Sequence, residues 1–386
     1  MAVEAVIVGG ALVGAAMARA LRGSPLALVS QERRVPREAR AGFDSRVYAI
    51  SPANAAFLAE LGAWPQIPAE RIAPVHAMRV YGDDGASKIE FNAYRAGVSE
   101  LAWIVEDATL QDALWRVLET QEQLQLLAPA ECEQFEAGAD GARLTLRDGR
   151  SIDSSLVIGA DGARSFLRMR AGIEARERAY GQSAVVANFA CERPHRNVAL
   201  QWFQRGPVLA LLPLPGEQVS MVWSTGDAQA ARLLALPGNA LAREVSDASG
   251  HALGELSLVS PARSFPLRSL IAARSVAPRA ALVGDAAHVV HPLAGQGANL
   301  GFQDARVLAE VLRSREPFRD PGDLRLLRRY ERARSEAILA MRATVHGLFL
   351  LFGADERWFG PLRNAGLNLV DRLPVLKNVL MRRAMN

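Results

Sequence analysis

Asp285 sits between an apolar run, Ala280 to Val283, and a loop carrying Pro292, Gly295 and Gly297. From about Asn299 onward Leu300, Leu308, Val311 and Leu312 return at helical spacing, so the order is strand, acid, glycine-rich loop, helix start. A carboxylate at a strand tip accepts hydrogen bonds from sugar-like hydroxyls, and glycines let a backbone lie against a flat ring. The first turn of a helix adds unpaired N–H groups and the positive end of a dipole, which stabilise negative charge. Together they suit a cofactor with a hydroxylated chain at one end and an electron-accepting ring at the other. A plain strand-to-helix turn capped by Asp285 explains a lone Gly-Asp, but not a pattern extending from Gly284 to Ala305.

A second phosphate-compatible element lies near the start. The short apolar strand Glu4 to Val8 runs into Gly9-Gly10-Ala11-Leu12-Val13-Gly14 and an Ala-rich helix reaching about Arg22. This is the layout of a dinucleotide-binding turn, in which glycines allow a tight bend and close approach of a pyrophosphate to the helix. Ala11 replaces the middle glycine, and Gly9, Ala11 and Gly14 are the candidate contacts. After the next strand, Leu26 to Val29, an acid is expected on the adenosine ribose. Ser30 holds the strand-aligned position and Glu32 is the candidate acid, a solvated charge in Gln31-Glu32-Arg33-Arg34 being the alternative.

The segments GDAAH, HPLAGQG, N-L-G and D-A within Gly284 to Ala305 resemble the flavin motif of the single-component FAD-dependent aromatic monooxygenases, most closely the ubiquinone-biosynthesis hydroxylases. The resemblance implies that Asp285 binds the ribityl chain of FAD and that Gly297, Ala298 and Asn299 lie along the isoalloxazine ring. It also implies that the Pro292 to Gly295 loop borders the reacting face, with no acid or base assigned. Asp44 to Ser51 matches the D-x-R-x-x-A-I-S element, which implies Arg46 against FAD. Gly159 to Ser165 matches G-A-D-G-x-x-S, which implies Asp161 and Gly162 near the pyrophosphate in FAD and NAD(P)H use. Ile104-Val105-Glu106-Asp107 resembles I-V-E-N, with Asp107 in place of asparagine. His288 and His291 come with the flavin loop and are read as shaping it rather than transferring protons.

The fold implied is α/β: an FAD-binding Rossmann-like domain with an interleaved mixed β-sheet substrate domain and a C-terminal helical region. The FAD-binding domain is expected from 1–75, 100–180 and 275–340, the substrate domain from 76–99 and 181–274, and a helical, basic amphipathic tail from 341–386. Alternation around Gly82 to Gly85 and around Asp148-Gly149 predicts two hairpins. Val198 to Phe203, Val208 to Leu214 and Val219 to Trp223 are predicted strands of the substrate sheet.

Among the 386 residues no apolar run approaches the ~18 to 20 residues of a membrane span. Ala5 to Ala18 could pass for a signal-peptide core, but Glu4 and the spaced glycines argue against it. Cys132 and Cys191 make no disulfide or metal pattern, so no metal site and a reducing cytoplasmic setting are expected. The net charge of +4 is concentrated at the end: residues 357–386 hold six basic groups against the single acid Asp371. That stretch is both cationic and lipophilic. It suits peripheral contact with the inner face of an anionic membrane, or a docked helix with a basic outer face. No nucleic-acid motif accompanies the charge.

The activity implied by the resemblance is hydroxylation of the ring of a lipophilic, polyprenylated phenol or quinol precursor of ubiquinone, using NAD(P)H and O2, within a multi-enzyme complex or alone. A hydroxylase of a small soluble phenol and a catalytically silent lipid-binding or assembly subunit are the alternatives. A flavin halogenase is disfavoured, because no W-x-W-x-I-P element exists and Lys88 and Lys377 are the only lysines.

Overall fold

The computed structural model describes residues 2–34, 42–84, 87–204, 206–289 and 297–353. Its first sheet has the order Val276–Ala277, Ala280–Leu282, Ser151–Gly159, Ala2–Val8, Leu26–Val29, Leu124–Leu127. Along that order all neighbours run parallel except the Val276–Ala277 edge, and an antiparallel hairpin, Ala142–Leu146 with Cys132–Ala137 beyond it, pairs with Ser151–Gly159. The central strands are near-continuous apolar runs because both faces are covered. On one face Ile7, Leu28 and Ile158 meet Met17, Trp115 and Phe302 of three helices, Leu12–Ala20, Asp107–Glu119 and Gly297–Arg313. On the other, Val6, Val157 and Leu282 meet Leu167 and the hairpin residues Leu144 and Leu146.

Register decides where the functional loops emerge. Val8 pairs with Gly159 and Val29, and Gly159 with Leu282, so four strands end at one level. The turns that follow them, at Gly9, Ser30, Ala160 and Val283, therefore leave from one edge, the carboxyl edge at which open α/β sheets bind ligands.

The second sheet runs His288–Val289, Arg263–Ala272, Ala175–Cys191, Gln218–Gly226, Val208–Leu214, Val198–Phe203, Ala77–Tyr81, Lys88–Asn92. Side chains alternate with the strand period of two. One face, with Val185, Ala187, Leu209, Leu211, Met221 and Trp223, packs on Leu233, Leu241 and Val245 of two covering helices. The other face is left to a cavity. A smaller sheet of Val47–Ile50, Ala102–Glu106 and Ile72–Val75 adjoins it, Ala73, Val75 and Ile104 packing with Ala199 and Leu214.

Both predicted hairpins are present, and the predicted strands at Val198–Phe203 and Val208–Leu214 have those bounds. The strand Ala175–Cys191 is longer than the pattern from Ser183 onward indicated, because Ala175 to Tyr180 are mostly exposed and charged and show no apolar alternation. Among the described residues, one helix spans Gly297–Arg313 after the glycine-rich loop and another spans Leu324–Gly353. No helix among the described residues is long and apolar enough to cross a membrane.

Candidate functional site

A cavity of about 1510 Å3 opens where the carboxyl edge of the first sheet faces the uncovered side of the second. Gly9, Ala11, Glu32, Arg46, Asp161, Gly162, Asp285, Gly297 and Ala298 all line it. The glycine turn is fixed by contact: Gly9 has φ +106°, and a Cβ there would stand 2.3 Å from the Ala160 carbonyl oxygen. A Cβ on Gly14 would stand 1.8 Å from the Gly9 carbonyl oxygen, so Gly14 permits the helix to pack on its own turn. Ala11 has φ −75° and ψ −173°, an extended conformation that any residue adopts, which explains why the turn closes without a middle glycine. It is the N-cap of Leu12–Ala20 and makes no side-chain cap hydrogen bond. The first-turn N–H groups are thus left for an anion.

Around this turn the other motifs converge. Ser30 Oγ donates to the Glu32 carbonyl at 2.8 Å, which brings both ribose candidates to the rim. Asp161 accepts the Leu167 amide through Oδ2 at 3.1 Å, while its buried Oδ1 has no partner among the described residues. Burial raises the Asp161 carboxyl above the usual range, against the pull of its hydrogen bonds from Ser165 and the Leu167 amide. An orphaned carboxylate oxygen beside a phosphate-type turn fits a group bringing its own hydroxyl donors. Arg168, which the sequence did not single out, donates to the carbonyls of Ala163 at 2.7 Å and Ala286 at 2.9 Å. One buried guanidinium thus ties the Asp161 loop to the Asp285 turn.

Asp285 follows the Ala280–Leu282 strand in a single 3-10 turn, Gly284–Ala286, made possible by φ +60° at Gly284. Its side chain reaches the cavity and is accessible there, yet surrounding protein raises its carboxyl, and the attraction of His288 and Arg46 opposes that rise. Arg46 lies over Tyr48 and Phe265, 5.6 Å and 6.0 Å from the ring centroids, and its charge is balanced by Asp107 and Asp285. Asp107 Oδ2 is held by Gln111 Nε2 at 2.8 Å. The asparagine-to-aspartate change thus places a carboxylate near a cation in the cavity wall, where its charge is compensated.

Beneath the turn, Asp304 accepts from the Gly284 amide at 2.9 Å, His288 Nε2 at 2.6 Å and Arg334 Nε at 2.6 Å. Burial would raise Asp304, but His288, Arg334 and the amide outweigh it and hold the carboxyl below its ordinary value. The His288 imidazole is correspondingly raised despite its burial. This gives His288 a structural place under the Gly284–Ala286 turn. Asn299 is buried, and its side chain bonds the Ser51 amide at 3.1 Å and the Ala49 carbonyl at 2.8 Å rather than lining the cavity. Of the three residues expected along the ring, Gly297 and Ala298 line the cavity and Asn299 does not. Pro292, Gly295, His291 and the stretch 357–386 lie outside the described residues. Among the described residues no group of His, Cys, Asp and Glu could hold a metal ion.

Away from these groups the cavity wall turns apolar. The open face of the second sheet contributes Ala184, Val186, Ala199, Ala210, Leu212 and Val222, with Met78 and Phe91 at its far edge. Glu177 and Arg268, which also line the cavity, pair with each other at 3.2 Å.

A dinucleotide-type turn, a carboxylate two strands away on the same edge and a second sheet closing an apolar chamber fit an FAD-dependent flavoprotein. A family profile described as FAD binding domain matches residues 2–344, and the chain belongs to that family. It is 37% identical to the ubiquinone hydroxylase UbiL of Rhodospirillum rubrum, over 99% of this chain and 89% of the relative. It is 33% identical to the 3-demethoxyubiquinol 3-hydroxylase of Escherichia coli, over 99% and 98%. Among solved structures, PqsL of Pseudomonas aeruginosa in complex with 2-aminobenzoylacetate is similar at 25% identity and a TM-score of 0.78, covering 95% of this chain and 99% of that one.

Proposed function

We propose that this FAD-dependent monooxygenase hydroxylates the ring of a polyprenylated phenol or quinol intermediate of ubiquinone biosynthesis, with NAD(P)H as reductant. The observation that carries the reading is the apolar chamber joined to a flavin-compatible edge, together with relatives named for ubiquinone hydroxylation. Among the described residues, the open face of the second sheet brings no lysine, arginine or histidine into the cavity for a charged phenol apart from Arg268, which is paired with Glu177. Bound FAD supplies electron transfer from NAD(P)H and activation of O2. The chain supplies placement: Asp285 for the ribityl hydroxyls, the Leu12–Ala20 start for the pyrophosphate, Glu32 or Ser30 for the ribose, and the Gly297 helix start for charge on the ring. The apolar wall excludes water from the reacting carbon.

Peripheral membrane contact through 357–386 belongs to the same reading, because a prenylated ring resides in the bilayer and the stretch combines six cations with leucines and valines. So does association with other enzymes of the same biosynthetic route. Mass spectrometry of cells lacking the protein tests the function. A prenylated intermediate one hydroxylation short of the next is expected to accumulate, whereas an unchanged quinone profile would overturn the proposal.

A further inference from the structure

Where the open face of the second sheet lines the cavity, Gln201 and Ser224 are the uncharged polar side chains among apolar ones, beside the Glu177–Arg268 pair. Gln201 and Ser224 line the cavity, are 6% and 5% exposed, and have no side-chain hydrogen-bond partner among the described residues. Neither side chain is sealed from the cavity, so each is free to hydrogen-bond what enters it, and an entering group that brings no polar atom would leave the amide or hydroxyl unpaired at a cost.

Register gives their relation. Gln201 pairs with Ala210, and Ala210 with Val222, so Gln201 belongs to a row that crosses to Val186. Ser224 lies two residues beyond Val222, between Val208 and Ala184. Two strand spacings and a two-residue step separate their Cα atoms by roughly 12 Å. Ala184 also pairs with Phe265, over which Arg46 lies, so Ser224 stands toward the flavin edge. Gln201 stands farther in, toward the Met78 and Phe91 edge. Ala210 and Ala184, each beside one of the two, leave room for a ring beneath the sheet.

We propose that Ser224 and Gln201 are specificity residues that bind two ring oxygens of the substrate and so fix which ring carbon faces the flavin. This rests on the substrate class proposed above. Both side chains donate and accept, which matches neutral phenol or quinone oxygens rather than a carboxylate. Two anchors at opposite ends of one ring remove its freedom to turn in its own plane and so restrict which ring carbons face oxygen transfer.

The test uses FAD-loaded protein without oxygen and three probes: geranyl hydroquinone and the two geranylphenols that each lack one of its hydroxyls. Binding is read from the flavin absorbance. In the parent each missing hydroxyl is expected to weaken binding about tenfold. Ser224→Ala should erase the penalty for one phenol only, and Gln201→Leu the penalty for the other, with Gln201→Met as a second variant and FAD content as the folding control. With oxygen and NAD(P)H, each variant should give a mixture of ring positions where the parent gives a single one. Penalties that persist in the variants, or affinities that fall equally for all three probes, would overturn the assignment. If the parent binds none of the probes, the substrate class is wrong and the assignment falls with it.

Discussion

Asp304 and His288 illustrate how one residue pair can hold a turn that lines the cavity without lining the cavity themselves. The carboxylate joins the Gly284 amide, His288 and Arg334 in a site that water does not reach. Asp304→Asn leaves two cations facing a neutral amide and is expected to cost about 3–5 kcal/mol in chemical denaturation, with loss of FAD. The pH dependence has a definite sign. His288 is raised above 6.5, so its contribution is complete below that value and fades as pH climbs through the raised pKa. Asp304 is lowered from 3.8, so its contribution is complete above that value and is lost as pH falls through the depressed pKa. Thermal stability should therefore decline as pH rises from 6.5 through the raised His288 pKa, and His288→Gln should remove that part of the decline. The sequence showed Asp285, Arg46 and Asp161 through their motifs. It did not show Arg334, which comes from a later helix and reaches Asp304 only through packing, nor that the Asn299 amide is committed to the backbone of Ser51 and Ala49.

At the scale of elements, the site is a consequence of strand register. Four parallel strands end level, so motifs separated by well over a hundred residues share one rim. The close approach of the first turn to the Ser151–Gly159 strand and to its own helix depends on bare glycines. Gly14→Ala would place a methyl group against the Gly9 carbonyl and is expected to cost about 1–3 kcal/mol, with reduced FAD content on purification. Alternation and turn residues made the hairpins and the Val198–Phe203 and Val208–Leu214 strands readable from the sequence. The exposed start of the Ala175–Cys191 strand was not, since its side chains bury no apolar face. Nor did alternation reveal which face of the second sheet would be covered by helices, because apolar residues occur on both.

The whole molecule places a polar, charge-balanced rim against an apolar chamber in one continuous cavity. Such a division suits a cofactor with a charged, hydroxylated body and a substrate with a lipid tail. Deleting residues 357–386 is expected to abolish sedimentation with anionic liposomes while preserving FAD; undiminished binding would show that other surfaces make the contact. The resemblance carried by dispersed motifs conveyed the cofactor and reaction class, whereas the chamber's shape depends on sheets meeting face to face and was not legible residue by residue. The most direct measurement supplies FAD-loaded protein with NAD(P)H, geranyl hydroquinone and isotopically heavy O2, followed by mass spectrometry. A ring-hydroxylated product carrying one heavy oxygen atom is the result expected. NAD(P)H consumption that ends only in hydrogen peroxide, across geranyl hydroquinone and the extracted prenylated phenols and quinols alike, would contradict the account.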